Sequence, residues 1–331
     1  MVFSQQKVRA LGLCSGGLDS RLAAAVLMRQ GIAVEWISCE TPFFSADKAR
    51  DAARLQGIPL IVDDITPIYL QMLKNPPCGY GQHMNPCLDC HALMFREAGR
   101  CMQAKNFDFL FSGEVLGQRP MSQTKPSLRY VEKHSGFDGY ILRPLSALRL
   151  PETAAEKKGL VDRQALLDIT GRGRKIQIRL AKEYGISDYP APAGGCLLTD
   201  PGFSKRLRDL FAHRDIYTHQ ALHLLKYGRH FRVNAESKII VGRTRSDNEK
   251  IESLYNPVTD SLIKLKHFPG PTTLLPDGPA QEIVFLAAGI CAGYSKVSRD
   301  MPVAATVVSG RRSDTIRVIP IAPETVKHLM V

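Results

Sequence analysis

The sequence predicts an α/β fold, a doubly wound parallel sheet, followed by a second and smaller α+β domain. Three observations carry the prediction. As far as Phe111, apolar runs alternate with amphipathic or Ala/Leu-rich stretches, the rhythm of a parallel sheet crossed by helices. The first apolar run leads directly into a glycine turn and a helix. Beyond Ser204 the order changes to helices, short strands, another helix and a hairpin, and more than half of the net charge of +12 falls there.

Val8–Leu13 is a short apolar strand and Leu18–Leu27 an Ala/Leu-rich helix, joined by Cys14-Ser15-Gly16-Gly17. Gly16 and Gly17 permit a sharp turn and the close approach of a ligand. Ser15, Asp19 and Ser20 add side-chain oxygens, and the helix turns its free N–H groups and positive dipole end into the same space, an anion site. The loop is neither a Walker loop nor a dinucleotide fingerprint with three spaced glycines.

Ile32–Cys39 suits a buried parallel strand, Ala46–Gln56 a helix and Leu60–Asp63 a short strand. In such sheets ligands lie beyond the carboxyl ends of the strands. Ser15–Ser20 falls there, as does Cys39-Glu40-Thr41-Pro42-Phe43-Phe44, which is either part of an adenine pocket or a plain strand-to-helix loop. Ile68–Lys74 is a helix stopped by Asn75-Pro76-Pro77. Phe107–Phe111 is a further buried strand, and the segment after it carries Gly113, Glu114 and Gln118 to the ligand edge. Pro151–Tyr184 reads as a helical extension whose Arg172, Arg174, Lys175, Arg179 and Lys182 form a basic face, turned to solvent or to RNA.

The 331 residues allow two ordinary domains, placed at 1–202, with the helical extension from about 151, and 203–331. The apolar fraction of 44% is enough for two cores, and the positive charge points to a polyanionic partner. The longest apolar run, Ile283–Tyr294, falls short of the roughly 18 residues of a membrane span. It reads as a buried helix, and no membrane partner is expected. The N-terminus lacks a signal-peptide pattern, and eight cysteines without one suggest a reducing cytosol, with metal or catalytic use of thiols rather than a disulfide scaffold.

Three thiols stand out. Cys87 and Cys90 form a C-x2-C pair that shares a metal, acts as attacking and resolving thiols, or simply begins a helix. Cys196 follows Pro190, Pro192, Gly194 and Gly195, a constrained turn that presents a thiol or packs a small residue. Three sulfurs are one short of a closed zinc site, and they suit a [4Fe–4S] cluster with one open iron. A zinc alternative uses Cys78, Cys87 and Cys90 with a fourth ligand. Cys14, Cys39, Cys101 and Cys291 are expected to be packing residues.

Ser15-Gly16-Gly17-Leu18-Asp19-Ser20 resembles the SGGxDS loop of the ATP pyrophosphatase (PP-loop) superfamily, whose adenine nucleotide alpha hydrolase-like enzymes split ATP into AMP and pyrophosphate to activate a substrate oxygen. Gly113-Glu114-Val115-Leu116-Gly117-Gln118 with Ser122-Gln123-Thr124, and Ile141-Leu142-Arg143-Pro144-Leu145, resemble landmarks of the tRNA 4-thiouridine synthases. The Cys87, Cys90 and Cys196 set is similar to that of cluster-dependent tRNA thiolation enzymes, where such cysteines hold a [4Fe–4S] cluster. Other members of the superfamily use two distant cysteines, one as a persulfide and one to resolve it. The Cys78 spacing is similar to the zinc site of the 7-cyano-7-deazaguanine synthases, but His91, Ala92 and Leu93 stand where that family's fourth cysteine would fall.

These resemblances imply ATP held by Ser15, Gly16, Gly17, Asp19, Ser20, Cys39, Gly113 and Gln118. They imply Mg2+ facing Asp19, and sulfur chemistry at Cys87, Cys90 and Cys196. No rhodanese-like domain is recognisable, so free sulfide or a cysteine desulfurase is the expected sulfur donor.

The last third is expected to place helices at Lys205–Ala212 and Thr218–Tyr227, strands at His230–Val233 and Lys238–Gly242, a helix at Asp247–Tyr255 and a strand at Ser261–Leu265. A helix at Glu282–Tyr294 and a hairpin of Ala304–Ser309 with Thr315–Ile321 follow. Val241-Gly242-Arg243 with Asn248, and His267-Phe268-Pro269-Gly270, partly resemble landmarks of the NFACT-R RNA-binding domain. On that likeness Arg243, Arg245, Lys264, Lys266, His267, Arg311 and Arg312 would face RNA phosphates, which gives affinity rather than base choice. A solvated basic surface or a homodimer module are the other uses of such a domain.

Together the resemblances imply ATP-dependent thiolation of a tRNA uridine. Two other functions share the ATP loop: an amide-forming ligase acting on a small molecule, and a non-catalytic, nucleotide-sensing RNA-binding factor.

Overall fold

A computed structural model describes residues 7–191 and 196–331, and the chain divides into two compact units, Met1–Thr199 and Asp200–Val331. The first unit runs β1 (Arg9–Leu13), α1 (Leu18–Met28), β2 (Ala33–Glu40), α2 (Asp47–Gln56), β3 (Leu60–Asp64), α3 (Thr66–Lys74), α4 (Cys87–Ala104), β4 (Phe109–Ser112), α5 (Lys125–Ser135), β5 (Ile141–Leu142), α6 (Ala154–Lys157) and α7 (Lys175–Glu183).

All five strands are parallel, in the order β3-β2-β1-β4-β5. The period-2 alternation of strand side chains divides the core in two. Ala10, Trp36, Phe109 and Phe111 pack under α1 and α2, while Leu11, Ile37, Leu110 and Ile141 pack under α4 and α5. The chain winds outward from β1 to β3 and then returns to β4 on the other side of β1. The loops leaving β1 and β4 therefore diverge, and a crevice opens at the carboxyl ends of these two central strands.

Of the two helices on the second face, α5 was not expected from the sequence, and α4 was one of the three readings of the C-x2-C pair. α4 begins at Cys87, behind Pro86, and its buried side is Ala92, Phe95, Ala98 and Met102, spaced three and four apart. The continuous helix expected over 151–184 is not formed. Thr153 and Glu156 cap the four-residue α6 reciprocally, Gly159 and Gly171 adopt left-handed backbone, and Leu166 and Ile169 pack into the core from irregular chain. Helix resumes only at Lys175.

The second unit runs α8 (Pro201–His213), α9 (His219–Leu224), β6 (Arg229–Arg232), β7 (Lys238–Val241), α10 (Arg245–Ser253), β8 (Ser261–Leu265), β9 (Thr273–Leu275), α11 (Gln281–Gly293), β10 (Val303–Ser309) and β11 (Arg312–Val318). Its six strands form a sheet of order β11-β10-β8-β9-β7-β6, and every pair is antiparallel. The apolar run at Ile283 is α11, buried through Ala287, Ala288, Ile290 and Cys291. No helix among the described residues is long and apolar enough to cross a membrane. The three-residue β9 was too short to show a period, and β11 begins three residues before the expected strand, at Arg312, because its first half is exposed and polar.

The landmarks of this unit hold the fold together. A Cβ on Gly242 would lie 1.9 Å from Asn248 Oδ1, and that oxygen accepts from Thr272 N at 3.0 Å. Asp209 on α8 accepts from Arg232 and Lys238, both at 2.8 Å, fastening the helix to β6 and β7.

Candidate functional site

At the carboxyl end of β1 the two glycines do different work. Gly16 has φ +72, and a Cβ there would lie 2.1 Å from Lys48 O, so backbone conformation and the packing of α2 both demand glycine. Gly17 is extended, not left-handed as a two-glycine turn would have it, and a Cβ there would meet only Ser15 Oγ, at 3.4 Å. As the N-cap of α1 it provides no side-chain cap, which leaves the helix's first N–H groups for a ligand. Ser20 Oγ donates to Gly17 O at 2.8 Å, and Cys14 Sγ accepts from Gly16 N at 3.3 Å. Cys14 is thus part of the loop's own hydrogen bonding as well as packing.

A cavity of about 580 Å3 opens over this loop. Ser15, Gly17, Asp19 and Ser20 line it from β1, Cys39 and Phe44 from β2, and Gly113 and Gln118 from β4. Gly16 shapes the turn behind the lining. Gly113 has no room for a side chain, since its Cβ would sit 2.4 Å from the Asp19 backbone. The Cys39–Phe44 segment therefore belongs to the cavity wall, although Cys39 itself is buried, with its thiol pushed up to about 12 by burial and by Asp63 and Glu97.

Asp19 is oriented by a relay of amides. Its Oδ2 accepts from Gln118 Nε2 at 2.8 Å, and Gln118 Oε1 accepts from Gln177 Nε2 on α7 at 3.1 Å. Its Oδ1 is buried with no hydrogen-bond partner. A desolvated carboxylate oxygen without a donor is costly, and a hard cation is the group that relieves it. This donor fits Mg2+ beside a phosphate chain.

Sequence reasoning missed a second constellation in the same cavity. Glu114, buried, accepts from Arg143 Nε at 2.9 Å and meets His91 Nδ1 at 3.0 Å, while Arg143 also pairs with Glu132. Burial pushes the Glu114 carboxyl up, but Arg143 and His91 outweigh it and hold it at about 2. His91 lines the cavity. Glu114 was placed at the ligand edge, but its partners were not; the signal for them was a histidine directly after the C-x2-C pair and an arginine just after β5.

The three singled-out thiols lie in one region, within electrostatic reach of one another but not as a closed cluster. The backbone bond Met84 N to Leu198 O, 3.2 Å, pins the segment bearing Cys196 to the loop before Cys87. Cys90 lies within electrostatic reach of Cys196, Cys87 and Cys39, and burial pushes its thiol well up. The fully buried Tyr69 ring packs edge-on against Phe44, with centroids 5.4 Å apart, and its hydroxyl faces Cys90 without closing a well-formed hydrogen bond. Phe44 and Cys39 line the cavity, so the thiols adjoin its wall rather than line it.

Three sulfurs match a cluster in number and kind. Among the described residues, however, no group of three or more His, Cys, Asp or Glu side chains is placed to hold a metal ion, so the spacing does not fit one. Cys78 stands apart beside Tyr130, its N–H donating to Asp89 at 2.8 Å, which also leaves the zinc set unassembled. The Pro-Ala-Gly-Gly stretch 192–195 before Cys196 lies outside the described residues.

The basic residues divide. Arg172 and Lys175 are exposed, but Arg174 turns inward and lines the cavity, so it does not belong to an outward basic face. In the second unit Arg243, Arg245 and Lys264 pair with Asp247, Glu249 and Glu252. Lys266, His267, Arg311 and Arg312 are exposed.

Compared with known proteins, residues 3–152 match the family model described as thiamine biosynthesis protein (ThiI), and residues 228–330 that of the NFACT protein RNA binding domain. Among solved structures, a 4-thiouridine synthetase–RNA complex with bound ATP is 21% identical with a TM-score of 0.38, covering 54% of this chain and 41% of its own. The chain thus spans about two fifths of that protein's length. NMN synthetase from Francisella tularensis is 15% identical (TM-score 0.35), covering 66% and 83%. The C-terminal part of the fibronectin/fibrinogen-binding protein from Streptococcus suis is 14% identical (TM-score 0.28), covering 74% and 90%.

Proposed function

From a ThiI-type domain at 3–152 and an NFACT-type RNA-binding domain at 228–330, we propose that this protein is an ATP-dependent tRNA uridine sulfurtransferase of the reducing cytosol. The observation that carries the reading is that Cys87, Cys90 and Cys196, from two remote stretches of chain, lie within electrostatic reach of one another beside the wall of the cavity over Ser15–Ser20.

The chemistry demands both halves. A carbonyl oxygen leaves a uracil ring poorly, and adenylation converts it into AMP, a good leaving group. The N-terminus of α1, Ser15, Gly17 and Ser20 hold the phosphates, and Asp19 would hold Mg2+, which would screen their charge. The uridine must leave its stack to reach the cavity. The uracil oxygen bonds to the α-phosphorus, pyrophosphate departs, and the N3 proton passes to solvent. The terminal sulfur of a cysteine persulfide then attacks the activated carbon, and AMP leaves with the oxygen. A second thiol of the set displaces thiouridine by closing a disulfide, which a cellular thiol reopens. The persulfide of a cysteine desulfurase passes its outer sulfur to the reopened thiol; sulfide serves instead only by attacking the disulfide itself, which yields one persulfide and one thiol. The second unit supplies phosphate contacts through Lys266, Arg311 and Arg312, and through its other surface cations.

The test is tRNA-stimulated pyrophosphate release together with mass spectrometry of tRNA nucleosides. Thiouridine that depends on ATP, Cys90 and Cys196 is expected. Release driven by a small carboxylate instead would make the protein an amide ligase, and no release at all an RNA-binding factor. A brown anaerobic preparation, bleached by Cys90→Ala, would replace the persulfide by a cluster.

A further inference from the structure

Resting on the reading of the cavity as an ATP site, a second anion-holding element can be assigned. Three cations line the cavity: Lys48 on α2, Arg119 in the loop after β4, and Arg174 at the N-cap of α7. Among the described residues none of the three side chains has an ion-pair or hydrogen-bond partner. Arg119 is held only through its backbone N–H, which donates to Gln123 Oε1 at 3.1 Å, and the Nε of Arg174 is buried with nothing to donate to. Other arginines of the unit are matched: Arg50 is paired with Glu40 and Asp47, and Arg143 with Glu114 and Glu132.

The acids along the same lining are Asp19 and Glu114, and Glu114 is already matched by Arg143 and His91. The cavity therefore carries an excess of positive charge that the protein does not neutralise. A desolvated guanidinium nitrogen without an acceptor is costly, so its retention points to an anion from outside.

The position is specific. Arg119 follows Gln118, whose amide holds Asp19, and Arg174 lies one helical turn before Gln177, whose amide holds Gln118. Both guanidinium groups thus flank the Asp19 side of the loop, while Lys48 flanks the Gly16 side.

We propose that Arg119 and Arg174 form the seat of the β- and γ-phosphates and receive pyrophosphate as it leaves. As the substrate oxygen bonds to the α-phosphorus, the bond from that phosphorus to the bridging oxygen breaks, and its electron pair passes to pyrophosphate. A planar guanidinium meets two phosphate oxygens at once, and a pair of them placed in advance stabilises charge that appears only as the bond breaks. The basic stretch around Arg172–Lys175 thereby serves two ends, with Arg174 turned in and its neighbours turned out.

The experiment measures binding of ATP, AMP and tRNA to the full chain with Mg2+, for wild type, Arg174→Gln and Arg119→Gln, with melting curves to confirm folding. Arg119 is exposed, so its variant folds even if the Arg174 variant does not. We expect ATP affinity to fall about tenfold in each variant, with AMP and tRNA affinities nearly unchanged. The pyrophosphate needed for half-maximal ATP–pyrophosphate exchange should rise in parallel, and Arg174→Lys should recover part of the loss. Equal losses for ATP and AMP would overturn the assignment, as would a loss confined to tRNA, which would make these arginines a seat for an RNA phosphate. A wild-type protein that binds no ATP would instead overturn the reading of the cavity itself.

Discussion

Each unit contains a buried carboxylate clamped by cations, and the two clamps end differently. In the second unit Asp209 takes Arg232 and Lys238 and ties one helix to two strands; burial alone would push its carboxyl up, but these partners hold it at about 2. In the first, Glu114 takes Arg143 and His91, is likewise held at about 2, and His91 faces a cavity. Three cations of each unit diverge in the same way. Arg243, Arg245 and Lys264 of the second unit meet acids, whereas Lys48, Arg119 and Arg174 of the first meet none among the described residues. A charge whose partners all lie within the protein is architecture, and one left open to a cavity is available for chemistry.

The comparison can be broken in four places. The largest effect is expected at Asp19: Asp19→Asn should lower pyrophosphate release by about a thousandfold, with tRNA affinity intact, because only the cavity loses its cation-facing oxygen. Release assays beside tRNA binding check this, and a parallel loss of both would show that the units are not separable in function. Next, Cys196→Ser should remove thiouridine from the product tRNA while ATP–pyrophosphate exchange continues; nucleoside mass spectrometry decides.

Third, Glu114→Gln should destabilise the first unit by about 3–5 kcal/mol, since Arg143 is left buried with a weakened partner. The pH dependence has a definite sign. A carboxyl held at about 2 against about 4.3 when unfolded contributes stability above pH 4.3 that is lost as pH falls toward 2. Acid denaturation of the variant should be flatter across that window, and identical slopes would remove the clamp from the account. Smallest, reversing Arg311 and Arg312 to Glu should weaken tRNA binding about tenfold and lower its salt slope by about two, whereas Arg245→Ala, whose partner is Glu249, should change it little. Filter binding across a salt series measures both.

What could be read in advance was local. Ser15–Ser20 is contiguous, and the sheet follows from apolar runs that sit next to one another in the chain. The Glu114–His91 contact spans 23 positions and joins the end of one strand to a helix before it, so no periodicity announces it. The inward turn of Arg174 was hidden for a different reason. A run of basic residues before a helix reads as a solvated face, and only the Gly171 backbone and the core contacts of Leu180 and Ala181 decide which of them points in. The helix assumed over 151–184 failed because apolar residues such as Leu166 and Ile169 mimic helical spacing while packing from irregular chain.

The unequal glycines of the loop offer a tool. Replacing Gly16 damages the protein itself, because strain and collision arrive together. Gly17→Ala obstructs nothing internal, yet sets a methyl beside Ser15 on the rim where a nucleotide would have to sit. It is a plug one carbon in size: a folded, blocked protein against which every effect ascribed to nucleotide occupancy can be calibrated.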